Sequence, residues 1–160
     1  MRRSGNQEAA DGRPARWPAV AGVALIVAVP VATWWAVGDL STDLPDPDYQ
    51  IRPLDIGHTT EQVAGVSAAV LAAAAVVALI HAGRAGRFDR RWWPVLVELI
   101  LAGALCGAGW RVLTAGVIGA NIGAGLVLWV GAPMVAALVG LAVFDWLSVR
   151  AQRQHPGTKR

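Results

Sequence analysis

The chain has 160 residues, 55% of them hydrophobic and only 16% charged, where a soluble domain carries about 25% charged residues. With a mean hydropathy of +0.46, this composition excludes an ordinary soluble domain and puts an integral membrane protein first. The formal net charge of +3 does not point to nucleic acid, because the basic residues flank apolar segments instead of gathering on one soluble face.

Residues 1–16 are polar and basic and read as a disordered tail. An apolar segment follows at about 17–38, "WPAVAGVALIVAVPVATWWAVG", long enough for the about 20 residues that cross the hydrocarbon as a helix. Its apolar run exceeds the about 7–15 residues of a signal-peptide core, so it reads as a retained span. Pro30 is expected to kink it.

The loop at 39–60 is acidic. Asp39, Asp43, Asp46, Asp48 and Asp55 stand against Arg52 alone, and Pro45, Pro47 and Pro53 restrict the backbone. With His58, the residues Asp43, Asp46, Asp48 and Asp55 form a candidate contact loop. No EF-hand spacing is present and no metal is expected, so the plainest reading is a solvated connector. Thr59 and Gln62 have capping-box spacing and predict the start of the second helix.

The second span covers about 61–83, and its "AAAA" at 72–75 suits a tightly packed central position. The linker 84–91 carries Arg84, Arg87, Arg90 and Arg91. From Trp92 to Trp146 the chain is apolar over a length of about 80 Å as one helix, which must fold back on itself. The glycine-rich "GWRVLTAGVIGANIGAG" at 109–125 is the natural place, giving spans near 92–113 and 122–147. Its glycines match neither a phosphate-binding GxxxxGK[ST] loop nor a GxGxxG fingerprint. They predict a tight hairpin, with a re-entrant loop as the alternative. Asn121 is expected to cap the fourth helix, Pro133 to kink it, and 148–160 to form a second basic tail.

Arg2, Arg3, Arg13, Arg16, Arg84, Arg87, Arg90, Arg91, Arg150, Arg153, Lys159 and Arg160 fall on one side, leaving Arg52 and Arg111 on the other. Basic residues stay cytoplasmic, so both termini are expected inside. The fold class is all-α, an integral membrane four-helix bundle. The excess of arginine over Lys159 is the codon bias of a high-GC bacterial genome, and the expected location is the bacterial cytoplasmic membrane. Trp17, Trp92, Trp93 and Trp146 mark one set of helix ends, and Trp34, Trp35 and Trp110 the other.

No HExxH, GxSxG or haem-ligand histidine pair occurs, and Cys106 has no thiol partner. No enzyme and no cofactor are expected. Intramembrane ionisable groups are the best functional pointers. Glu98 lies in the third span, with His81 and Asp145 at similar depth and Arg84 nearby. The three form a candidate cluster for relaying protons or holding a cation; the plainer alternative pairs Glu98 with one arginine while the others reach the headgroups. Gly103 and Gly107 form a GxxxG pair facing away from Glu98, a candidate interface with a neighbouring helix or a second copy.

The leading expectation is a structural, accessory or regulatory membrane protein. Its expected partners are anionic lipids of the inner leaflet and another membrane protein or a second copy, with no nucleic acid. The alternatives are a homo-oligomeric proton-coupled carrier using Glu98 and an extracytoplasmic sensor using the acidic loop.

Overall fold

A computed structural model describes residues 16–43, 45 and 47–154. The expectations for tails 1–15 and 155–160, and for Asp46, lie outside the described residues. The chain is all-helical, with four helices long and apolar enough to cross a membrane.

Helix α1 runs Trp17–Val37, with Pro18 in its first turn, where the missing N–H would be unpaired anyway. Helix α2 runs His58–Arg84. Just past its end, Gly86 takes a φ of 68° that allows the Arg87 N–H to reach back to the Ala82 carbonyl at 2.9 Å, satisfying an orphan carbonyl of the last turn. A single 3₁₀ turn, Arg90–Trp92, leads into α3, Trp93–Thr114. Asp89 caps it by accepting from the Arg91 N–H at 3.1 Å.

The glycine-rich segment is the bend between helices. Helix α3 stops at Thr114, and α4 starts at Ala120 after Gly119 takes a left-handed φ of 76°. Helix α4, Ala120–Leu126, passes through a π turn at Val127–Gly131 into α5, Ala132–Gln154. Pro133 has no N–H for the Trp129 carbonyl four residues back, and widening the preceding turn is one way a helix accommodates that loss. Two sequence-based capping assignments are corrected. Asn121 lies inside α4, exposed, with Gly119 at the cap. Thr59 lies inside α2, with Gly57 at the cap and no side-chain capping bond.

The helices do not close into a ring. Helix α1 packs on α2 and α3, and α3 alone carries α4 and α5. The row therefore runs α2, α1, α3, then α4 and α5. This corrects the expected central place of the alanine-rich α2, which is an edge helix. The GxxxG pair shows why α1 and α3 sit at the centre. A Cβ on Gly107 would lie 2.2 Å from the Pro30 carbonyl oxygen, and one on Gly103 would lie 3.2 Å from Pro30 Cδ, so two backbones meet where no side chain fits. Helix α3 meets the fourth apolar segment with glycines facing side chains, Gly109 against Val127 and Gly123 against Val112.

At the end carrying the basic linker, Leu25, Ala75, Leu79 and Leu96 bring α1, α2 and α3 into one core. Phe88 and Trp93 cover it edge to face, with ring centroids 5.6 Å apart. Arg91 Nη1 donates to Gln152 Oε1 at 2.9 Å and ties the 3₁₀ turn to α5.

Candidate functional site

The polar centre of the molecule lies at the opposite end, around Arg111 in the last turn of α3. This side chain is only 8% exposed. A guanidinium this buried needs partners for its charge and its donors. Its Nη2 pairs with Glu61 Oε1 in the first turn of α2. Its Nε donates to the Trp34 carbonyl at 2.8 Å, and the guanidinium lies 4.1 Å from the centroid of the Trp34 ring.

The local chain explains that carbonyl. Helix α1 ends at Val37, and the Gly38 N–H bonds the Trp35 carbonyl, so Trp34 exposes one of the unpaired carbonyls of a helix C-terminus. A cation is favoured there by hydrogen bonding and by the helix dipole. Arg111 thus joins α3 to the end of α1 and the start of α2 in one cluster. The neighbouring tryptophan makes the second join. Trp35 Nε1 donates to Gln62 Oε1 at 3.1 Å, and its ring occupies the place a side chain on Gly65 would take. Both tryptophans, expected at the outer helix ends, are half-buried and make these contacts between helices there.

Over this cluster the acidic loop is fastened to the bend between α3 and α4. Thr42 N donates to the Gly116 carbonyl at 2.9 Å, Ile51 N to Leu113 at 3.1 Å, and Val117 N to Asp48 at 3.2 Å. Ser41 Oγ accepts from the Gly116 N–H at 3.0 Å. The Tyr49 ring lies on Gly116, where a Cβ would come within 2.7 Å of it. The loop expected as a solvated connector is a fitted cap, because Gly116 has no side chain to hold it off.

Asp39 begins the cap. Its Oδ1 accepts from the Ser41 N–H at 2.9 Å. That bond, a second from the Ser41 side chain and the charge of Arg111 hold the carboxyl below its ordinary range, with partial burial opposing. Beneath the cap is a cavity of about 430 Å³, lined by Arg111, Glu61, Trp34 and Tyr49 and bordered by Asp39, Asp55 and His58. It mixes aromatic walls with fixed charges and so suits a polar contact more than a lipid tail.

The sequence-expected residues fall as follows. Asp43, Asp48, Asp55 and His58 are exposed on or beside the cap, and Asp55 and His58 border the cavity. Glu98, His81 and Asp145 are not brought together. His81 and Arg84 are exposed on α2, at the far edge of the row from α5. Glu98 on α3 and Asp145 on α5 are both half-buried, on two helices that pack together. The Oε2 atom of Glu98 is buried with no hydrogen-bond partner among the described residues. Among the same residues, no group of three His, Cys, Asp or Glu side chains could hold a metal.

Sequence reasoning missed the Arg111–Glu61 pair. The signal was present: Arg111 is the one arginine inside an apolar segment away from the basic ends, and Glu61 is an acid at the start of another. No protein-family model, curated protein or solved structure matches the chain.

Proposed function

We propose that this protein is a non-enzymatic accessory or regulatory component of the bacterial cytoplasmic membrane. In this proposal it spans the bilayer four times with both termini inside and presents the acidic cap to a basic extracytoplasmic segment of a partner membrane protein. The observation that carries this reading is the fastening of the cap. Exposed Asp43, Asp48 and Asp55 sit on a loop bonded at several points to the α3–α4 bend. A loop already ordered loses less conformational entropy on binding, and clustered carboxylates steer and select a cationic partner. The charge asymmetry of the linker and tails supports the orientation.

The test is copurification from the native host after gentle detergent extraction, comparing the tagged wild type with Asp43→Asn/Asp48→Asn/Asp55→Asn. The proposal expects one partner membrane protein in stoichiometric amount that the triple variant loses. A partner held equally by both proteins, or a pure homo-oligomer in both, contradicts it.

A second reading, a small proton-coupled carrier, is favoured by the buried Glu98 oxygen that has no hydrogen-bond partner among the described residues. It requires that Glu98→Gln abolish substrate-driven proton flux in proteoliposomes while leaving insertion unchanged. The sensor alternative uses the same cavity as the cap and would show as a small-molecule-dependent change in partner binding.

A further inference from the structure

Helices α1 and α5 both pack on α3 but make no substantial contact with each other. This leaves a furrow over α3 at the basic end, with a volume of about 510 Å³, within the about 300–1,000 Å³ of small-ligand sites. Gly22 of α1 and Leu96 of α3 line it side by side, and a Cβ on Gly22 would only reach van der Waals contact with Leu96 Cδ2 at 3.4 Å. Val23, Ile26 and Leu99 make its length apolar.

The chemistry changes at the mouth. Arg87 and the indoles of Trp92 and Trp146 line it there, and the Arg150 guanidinium lies 4.1 Å from the centroid of the Trp146 ring. Asp89 is the acid at this mouth, and its Oδ1 already accepts from the Arg91 N–H. Arg84, Arg90 and Arg91 add exposed positive charge around it.

We propose that this furrow is a binding site for one anionic phospholipid, with an acyl chain along Val23, Ile26 and Leu99 and the phosphate between Arg87 and Arg150. An apolar channel opening between arginines at the bilayer surface complements an anionic lipid at both ends. Indoles at the mouth suit the headgroup level, where one edge is apolar and the other wet. A free anion would leave the apolar length unfilled. The proposal rests on the four helices lying in a bilayer, and it is independent of what the acidic cap contacts.

The test uses the full chain reconstituted in mixed phosphatidylglycerol and phosphatidylcholine bilayers. Insertion is checked first, and retained lipid is then counted by native mass spectrometry after gentle extraction. One phosphatidylglycerol per chain is expected in preference to phosphatidylcholine. Arg87→Gln and Arg150→Gln should each lower that preference about fivefold, the equivalent of about 1 kcal/mol per basic residue. Val23→Trp, which fills the channel, should lose both lipids. If Val23→Trp fails to insert, Arg87→Gln/Arg150→Gln decides alone. Equal retention of the two lipids by the wild type, or an unchanged preference in the double arginine variant, overturns the proposal. A chain that fails to enter the bilayer overturns the membrane reading beneath it.

Discussion

Replacing Arg111 by methionine keeps the approximate volume of the side chain and removes its charge and donors. Glu61 would lose its cation and the Trp34 carbonyl its hydrogen bond, while the face of the Trp34 indole would lose its cationic neighbour. Breaking a buried ion pair from one side costs about 3–5 kcal/mol, because the remaining charge stays desolvated. The Glu61 side chain is 25% exposed, so water can reach it in part and the lower end, about 3 kcal/mol, is expected for Arg111→Met.

Removing both charges tests the reasoning more sharply. In Arg111→Met/Glu61→Leu no carboxylate is stranded, and the remaining penalty is the orphaned Trp34 carbonyl, about 1–3 kcal/mol. The double variant should therefore be no less stable than Arg111→Met alone. The assay is thermal unfolding in detergent, followed by circular dichroism, where about 3 kcal/mol corresponds to about 6–12 °C for a chain of this size. Two outcomes would refute the account: a loss in Arg111→Met of under about 1 kcal/mol, or strictly additive losses in the double variant.

Other consequences are open to the same assays. Gly107→Ala should prevent the native α1–α3 approach and lower Tm by several degrees, because its Cβ has no space beside the Pro30 carbonyl, while Gly125→Ala, with nothing within 4 Å, should be neutral or slightly stabilising. Asp39 has a folded-state pKa below its ordinary 3.8. Its contribution to stability is therefore present above that value and lost as pH falls through the folded value, so the wild type should lose Tm below about pH 4 and Asp39→Asn should flatten that decline. Gly116→Leu should displace Tyr49 and release the cap, read as faster amide hydrogen exchange across 41–51 without change in α1 or α2. Pro133→Ala restores the N–H missing from the fourth apolar helix and should convert the π turn at 127–131 toward regular α-helix, read as amide protection at residue 133.

The fold was legible where a property adds up along the chain. Helix number, most ends and the glycine bend follow from apolar length and from the conformational freedom of glycine; the exception is the last helix, expected to end at 147 with a tail from 148, which continues through the polar residues to Gln154. Neighbour relations were legible only in part: Gly103 and Gly107 read as an interface without naming its other side, because that depends on which small residues meet which bulky ones. The alanines of 72–75 invited a central place for α2, yet the close backbone approach was made by Gly103 and Gly107 on Pro30. Gln62 has the spacing of a cap residue but serves as acceptor for Trp35. The Arg111 cluster was hidden for a related reason. Its partners lie 50 and 77 residues away in sequence, and charge counting treats such an arginine as an exception to a pattern.

The central claim is that a fastened acidic cap faces the outside of the cell. In a Cys106→Ser background, Asp48→Cys and Arg90→Cys each place one thiol at an exposed position, on the cap and on the basic linker respectively. Intact cells are treated with a membrane-impermeant maleimide and compared with lysed cells. The account predicts that Asp48→Cys labels in intact cells and Arg90→Cys only after lysis. Labelling of Arg90→Cys in intact cells, with Asp48→Cys protected, would contradict it.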